Sequence, residues 1–170
     1  MNEEQLLFDL ADRVRSRFYG KYRGTVTQVQ ADTWRLKAMV PAVLGDQECG
    51  WAMACVPYAG PQVGMAFLPE AGAGVWIEFE GGDPSYPIWS GCYWRAGELP
   101  PAAKATVKCL VTPGGFQWTI DDDQAQVVLR DGHENTVTLR ADGIVLERGG
   151  QKITIAAGTV SINDGALEVQ

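Results

Sequence analysis

The sequence has few of the residues that build metal centres, and those it has are scattered. Its single histidine, His133, lies far from the four cysteines Cys49, Cys55, Cys92 and Cys109, and no two cysteines form a C-x-x-C pair. Zinc sites need closely spaced ligands, so we expect no metal site and reduced thiols. Cys55 and Cys92 lie in apolar strand patterns that predict burial, whereas the less regular sequence around Cys49 and Cys109 allows exposure.

The sequence also lacks an excess of positive charge and any long apolar run. Its formal net charge is −7 and its isoelectric point is about 4.7, which disfavours binding to nucleic acid or to an anionic membrane. No segment approaches the ~20 apolar residues of a membrane-spanning helix. The N-terminal stretch lacks the basic-then-apolar order of a signal peptide, so we expect the chain to be made and folded in the cytoplasm.

Recognisable catalytic arrangements are missing as well. No serine lies in a nucleophile elbow or a triad-like setting. Glu78 and Glu80 share one strand face, but the ordinary interpretation is a solvated face or an interface. Asp121, Asp122 and Asp123 lack the spacing and the glycine of a calcium loop. We therefore expect no catalytic, cofactor-binding or metal-binding residue, and no enzyme.

What the sequence does contain is a short repeat in its last third, from about residue 112 to residue 170. Apolar residues alternate with polar ones in short pairs, which is the period of a β-strand. Turn residues separate the pairs, for example Asp142-Gly143 and Gly149-Gly150, and such residues accept positive φ at little cost. The seven pairs are Trp118/Ile120, Val127/Leu129, Val137/Leu139, Ile144/Leu146, Ile153/Ile155, Val160/Ile162 and Leu167/Val169.

A repeat of this kind needs a partner for its apolar stripe. Short strands are marginal in water alone, and a repeat unit must bury its face against a neighbour. One interpretation is an antiparallel meander packed on the preceding domain. The other is an intertwined oligomer in which identical chains bring these fourteen side chains together around a symmetry axis. The regular spacing, and the lack of any helix to cover the sheet, favour the oligomer.

The rest of the chain divides into three segments. Residues 3–18 have helical spacing of apolar residues, which predicts a helix that either docks on a partner or folds onto its own domain. Residues 20–95 contain five or six short strands and no long helix, which predicts a small barrel of the OB type. Within this segment we expect a loop at residues 41–50, a strand at residues 63–69, and a strand in which Val75, Ile77 and Phe79 alternate with Trp76 and Glu78. Residues 96–113, with Pro100-Pro101 and several alanines, are typical of an extended linker.

The middle of the chain contains four longer motifs, which read GKYRGTV, VPAVLGDQECGWAMACVPYAGP, FLPEAGAGVWIEFEGGDPSYPIWSGCYW and LVTPGGFQWTIDD. Together they resemble the phage baseplate assembly protein V family. This is the family of OB-fold central spikes of contractile phage tails and related injection systems. The motifs are also similar to the corresponding domain of type VI secretion valine-glycine-repeat proteins.

The resemblance implies an all-β homotrimer with four segments in each chain. These are an N-terminal helix (1–19), an OB-fold barrel (20–95), a linker (96–113) and a triple-stranded β-helix or β-prism (114–170). The fourteen apolar residues of the pairs would form the trimer core. The OB end would contact a baseplate hub, and a tip protein of the PAAR type would dock on Leu167, Glu168, Val169 and Gln170.

The function implied by the resemblance is structural. The trimer would link the hub to the tip protein, puncture the target envelope when the sheath contracts, and contact the target membrane only transiently. The chain has neither the lysozyme domain nor the C-terminal HxH iron motif that some spikes carry. Two alternatives remain: an OB-fold carrier that binds a tip effector, and an envelope-degrading hydrolase. The sequence leaves open whether the particle is a phage or an injection device.

Overall fold

The structure is a computed structural model that describes residues 2–169, without the side chains of Glu3, Asp9, Asp12, Arg13 and Glu168. The chain divides into two compact units, Met1–Glu98 and Leu99–Gln170. Most of the regular structure in the described residues consists of strands, as the sequence predicts. We call Met1–Glu98 the OB unit and Leu99–Gln170 the C-terminal unit.

The first helix, α1, spans Glu3–Arg15. The side chain of Asn2 accepts a hydrogen bond from the backbone N–H of Gln5 at 2.9 Å, which satisfies one of the free donors at the helix start. The prediction of a helix to residue 18 is wrong at its C-terminal end, since α1 stops at Arg15. The apolar side chains Leu6 and Leu10 remain exposed.

Phe18, which the sequence places on the helix, belongs to the OB core instead. Its ring lies edge-on to Tyr22 and Phe79, with centroids 6.2 and 6.3 Å away. Its backbone N–H donates to the carbonyl of Gly82 at 2.8 Å. Aromatic packing and this hydrogen bond hold Phe18 in an extended segment, so they compete with one more helical turn.

The OB unit is built from short strands around one twisted sheet. Its elements are β1 (Tyr22–Gln30), β2 (Arg35–Met39), α2 (Pro41–Leu44), β3 (Met53–Ala54), β4 (Ala59–Gly60), β5 (Val63–Gly64), β6 (Gly74–Phe79), a 3₁₀ turn (Glu80–Gly82) and β7 (Pro87–Tyr93). In the described residues, the sheet order is β2-β1-β6-β7-β3, with β3 parallel to β7 and the other neighbours antiparallel.

Single bridges connect the two outer strands of this sheet. Leu36 of β2 exchanges hydrogen bonds with Ala52, just before β3. Met39 also forms an antiparallel bridge with Glu48, beside which the backbone N–H of Cys49 donates to the carbonyl of Ala38 at 2.9 Å. Hydrogen bonding therefore runs around the unit without a continuous ladder between β2 and β3, and the sheet is not a fully closed barrel.

One face of the sheet forms a well-buried core. Along β6, Val75, Ile77 and Phe79 point inward while Trp76 and Glu78 are only half-buried, which confirms the predicted alternation. The buried residues of this unit are Val26, Leu36, Ala38, Val40, Cys49, Ala52, Val75, Ile77, Phe79 and Trp89.

The expected burial is wrong for three of the four cysteines. Cys49 is buried in the core, with 2% of its surface exposed, whereas Cys55 and Cys92 are exposed. Cys49 lies beside β2, where the backbone N–H of Ala38 approaches its sulfur at 3.3 Å. Burial raises the pKa of the Cys49 thiol. Neighbouring groups that partly desolvate the otherwise exposed Cys92 thiol also raise its pKa, and Glu70 adds a smaller contribution.

Two further segments of the OB unit differ from the sequence expectation. Residues 41–44, predicted as a loop, form the helical turn α2 with Pro41 at its start, where proline's missing N–H is not needed. The predicted strand from Val63 to Pro69 is reduced to β5, which pairs only with β4. Met65 and Phe67 stay exposed, and the prolines around the hairpin limit further pairing because they have no N–H to donate.

The C-terminal unit is an antiparallel meander. Each strand pairs with the next one along the chain, from the first to the last. Its strands, within the described residues, are β8 (Val107–Val111), β9 (Gln117–Asp121), β10 (Gln126–Arg130), β11 (Asn135–Arg140), β12 (Gly143–Arg148), β13 (Gln151–Ala156), β14 (Thr159–Ile162) and β15 (Leu167–Val169).

Strand pairing in this meander is provided by a single chain. The repeat pattern predicts an intertwined structure with strands from different chains, but each inner strand, from β9 to β14, has both of its neighbours in the same chain. Tight connections explain this: Gly149-Gly150 links β12 to β13 with φ values of 54° and 82°, and such turns return the chain directly alongside the previous strand. Strand β8 also lies inside residues 96–113, so the sheet begins before residue 114.

Candidate trimer interface

The fourteen predicted core residues lie on one face of the meander, which we call the apolar face. Residues directly opposite each other in an antiparallel ladder, and residues two apart in a strand, point to the same side. Row one is Trp118, Leu129, Val137, Leu146, Ile153, Ile162 and Leu167. Row two is Ile120, Val127, Leu139, Ile144, Ile155, Val160 and Val169.

The apolar face is open to solvent in the single chain. Ten of the fourteen side chains are exposed, from 37% for Ile144 to 60% for Val169. The other four, Ile120, Val127, Val137 and Ile162, are half-buried. A continuous exposed apolar surface of this kind is typical of an interaction site on a soluble protein.

Both rows continue onto β8, beyond the fourteen residues that the sequence predicts. Leu110 lies opposite Trp118 and extends row one, and Lys108 lies opposite Ile120 and extends row two. These four side chains line one hollow of about 150 Å³. The mostly apolar segment Val-Lys-Cys-Leu-Val at residues 107–111 could have indicated this strand. The neighbouring prolines instead favoured a linker.

The opposite face of the meander is more polar. Its central row, one residue out of step with the apolar pairs, consists of Thr119, Val128, Thr138, Val145, Thr154 and Ser161. Lys152 lies on this face too and pairs with Asp164 at 2.6 Å. A sheet with one apolar and one polar face packs through its apolar face, so the fourteen side chains are the candidate interface.

The side chain of Asp131 stabilises the turn between β10 and β11 by hydrogen bonds. The Asp131 carboxylate accepts hydrogen bonds from the backbone N–H groups of His133 and Asn135 at 2.8 and 2.9 Å. The Asn135 side chain also donates to this carboxylate, and these bonds lower the pKa of Asp131. The single histidine therefore lies in a structural turn between β10 and β11.

Three of the four predicted tip-docking residues, Leu167, Glu168 and Val169, form the outer strand β15 of the sheet. Leu167 and Val169 end row one and row two, and both are more than half exposed. Gln170 and the side chain of Glu168 lie outside the described residues. The outward edge of β15 has no neighbouring strand in the described part of the chain.

The carboxylates considered for chemistry have structural contacts. Glu78 pairs with Lys21 at 2.7 Å. In the OB unit, Glu48 accepts hydrogen bonds from Thr27 at 2.7 Å and from Lys37 at 3.0 Å, and these bonds lower the pKa of Glu48. Within residues 2–169, no group of three or more histidine, cysteine, aspartate or glutamate side chains is placed to hold a metal ion.

Comparison with known families agrees with this architecture. Residues 22–94 match the OB domain of the type VI secretion system and phage-baseplate injector, and residues 108–168 match the C-terminal trimerisation domain of phage baseplate protein V. The chain belongs to the phage baseplate assembly protein V family. The second match begins inside β8, in agreement with the extra strand of the sheet. No curated protein sequence matches the chain significantly.

Membership of this family defines the broad role of the chain. It is a structural component of a phage-tail or secretion-system baseplate, and its C-terminal unit is a trimerisation domain. Among the helices that the structure describes, none is long and apolar enough to cross a membrane.

Proposed function

We propose that the chain is the central spike of a contractile injection system or phage-tail baseplate. Three copies bring their apolar faces together around a common axis and form a needle. The observation that supports this proposal is the pair of apolar rows that run without interruption from β9 to β15 on a face open to solvent. A trimerisation domain is expected to have a surface of this kind.

The apolar surface at this interface is large enough to drive assembly when it is well buried. Full burial of a large aliphatic side chain contributes about 1.5–3 kcal/mol. Because the fourteen side chains are about half exposed, their burial gives an upper bound of roughly 10–20 kcal/mol per chain. Association costs about 4–15 kcal/mol in lost freedom of motion, so the upper bound of the gain is comparable to this cost or larger.

The arrangement we propose is a prism, with one meander on each of its three sides. Since each strand pairs within its own chain, the chains meet through side chains rather than through shared ladders. Neighbouring strands lie about 4.8 Å apart, so the sheet from β8 to β15 spans roughly 34 Å. A dry core along this length makes the needle stiff, which suits the transfer of force to the target envelope when the sheath contracts.

We place the hub at the OB end and a tip protein of the PAAR type at the β15 end. The two edge strands differ in a way that supports this direction. Strand β8 has an inward-pointing charge, Lys108, which is a common protection of a free edge. Strand β15 ends both rows with Leu167 and Val169 and has no such charge among its described side chains, so its edge suits a partner strand.

The trimer core is tested by placing one charge on the axis. Ile155→Asp should prevent assembly because it buries an unpaired carboxylate among apolar side chains. Wild-type protein should show about three times the chain mass of 18.4 kDa in light scattering, and the variant should show one. Thr154→Asp, one residue away on the opposite face, is the matched control and should remain trimeric. A trimeric Ile155→Asp protein with unchanged melting temperature would refute the core.

Tip docking has a separate test. Leu167→Lys should abolish co-purification of the tip protein encoded with the spike while light scattering still shows the trimer, because it puts a charge on the docking edge at the last position of row one. The control Lys152→Met changes a side chain on the polar face and should retain the tip protein. Equal recovery with both variants would refute docking at β15. A peptidoglycan-release assay on the trimer should give no product, since we propose a mechanical role.

A further inference from the structure

One charged residue lies within the two rows of the apolar face. Among the described positions that pair across the sheet, from β8 to β15, the residues of these rows are apolar except for Lys108. It lies at the end of row two, opposite Ile120. The other end of the same row is Val169. The apolar face therefore has one charged end and one apolar end.

The charge at this end is held by a carboxylate. Lys108 forms an ion pair with Asp122, in the turn after β9. The backbone N–H of Asp122 donates to the carbonyl of Thr106 at 3.1 Å, which fixes the turn beside β8. Both side chains are about 60% exposed in the single chain (61% and 60%). An exposed pair of this kind contributes little to the stability of one chain, so stability does not explain its position.

The position matters when apolar faces pack against each other. Two such faces can meet in either direction along the stack of strands. In the opposed direction, Lys108 and Asp122 lie against Leu167 and Val169 of another copy, where charges lose water and gain no further partner. In the common direction, all charged ends lie at one level, at the open end of the assembly, where water and the carboxylates solvate the lysines.

We propose that the Lys108–Asp122 pair sets the direction of assembly. It excludes pairs of chains that pack with opposed directions, and it leaves the parallel three-fold arrangement as the stable one. A single polar residue in an otherwise apolar interface is a known means of selecting one assembly at some cost in stability. This inference rests on the trimer core of the proposed function, and it adds the residue pair that decides between competing assemblies.

The test removes both charges without changing size much. The double variant Lys108→Met with Asp122→Asn makes the two ends of the face alike. Native mass spectrometry should then show even-numbered assemblies, with the trimer falling from nearly all of the protein to less than half. The matched control is Lys152→Met with Asp164→Asn, which removes an ion pair from outside the two rows. It should remain trimeric.

A third protein moves the charge to the other end of the face. Adding Val169→Lys to the Lys108→Met, Asp122→Asn variant again makes one end charged, and the trimer should return. If the first variant remains wholly trimeric, or if it becomes monomeric or misfolded and the added lysine does not restore the trimer, the inference is wrong. Those results leave the proposed core intact. Failure of the core itself would appear in the wild-type mass and in Ile155→Asp.

Discussion

The two units of the molecule obtain their stability in different ways. Among residues 2–169, ten of the eleven buried hydrophobic residues belong to the OB unit, and the remaining one is Val145 in the C-terminal unit. The C-terminal unit has the more regular sheet, yet its apolar side chains are exposed in the single chain. Regular hydrogen bonding therefore does not by itself show that a unit folds independently, because its apolar surface must also be covered.

The difference between the two units can be measured by how their melting temperatures depend on protein concentration. The OB unit packs its apolar residues within one chain, so its melting temperature should not depend on protein concentration. The C-terminal unit depends on other copies, so its melting temperature should rise with concentration. Variants in the two units should then affect separate transitions, and the predictions below run from the largest expected effect to the smallest.

The largest effect is expected from Leu36→Ala in the OB core. Leu36 is fully buried, and removing such a side chain costs about 2–5 kcal/mol because it leaves a cavity. Scanning calorimetry should show the OB transition lowered by roughly 10 °C or more, with the concentration-dependent transition nearly unchanged. Val29→Ala, at a side chain of β1 that is 43% exposed, is the control and should lower it only slightly. If Leu36→Ala shifts both transitions equally, the units are not independent.

A smaller effect is expected at low pH in the C-terminal unit. The pKa of Asp131 is lower in the folded protein than its ordinary value of 3.8, so its contribution to stability is present above that value. The contribution is lost as the pH falls through the folded pKa. Asp131→Ala should therefore lower the C-terminal melting temperature at pH 7, and its difference from wild type should shrink below about pH 3.8.

The comparison variant for this prediction is Asp131→Asn. Its amide oxygen still accepts the two backbone hydrogen bonds but does not titrate, so it should be less damaging than alanine at pH 7. Circular dichroism melts at pH 7, 5 and 3 would measure the differences. A constant difference between wild type and Asp131→Ala over this range would contradict the assigned role of the carboxylate.

The smallest effect is a difference in reactivity between thiols. Cys49 is buried and burial raises its pKa, whereas Cys55 is exposed. Timed maleimide labelling of the native trimer, followed by mass spectrometry, should modify Cys55 at least about tenfold faster than Cys49. In denaturant the two rates should become similar. Equal labelling of both residues in the native protein would mean that the OB core opens readily.

The apolar pairs could be identified from the sequence because side chains alternate between the two faces of a strand with a period of two. Trp118 and Ile120, or Ile153 and Ile155, alternate with polar neighbours whatever lies opposite them. The sequence was not sufficient to say which chain provides the neighbouring strand, since alternation is the same in both cases. Two-residue connections such as Gly149-Gly150 decide this question, because so short a turn brings the next strand of the same chain alongside the previous one.

Tertiary contacts explain the other errors. Cys55 and Cys92 follow apolar strand patterns, but they lie where the sheet of the OB unit is uncovered. Cys49 lies in an irregular segment, and the bridges of this segment to β2 hold it against the core. Phe18 has helical spacing with Val14, yet its packing against Phe79 removes it from the helix. In each case the local pattern was correct and a contact distant in sequence decided the outcome.

The meander also has a consequence for how long such a needle can be. Since each hairpin contacts mainly the hairpins before and after it, one more hairpin can be added without changing the others. Two strands add about 9.6 Å, and chain direction is restored only after both. The length of the needle should therefore vary in steps of one hairpin. Duplicating a segment of about sixteen residues would therefore lengthen the proposed needle by one hairpin.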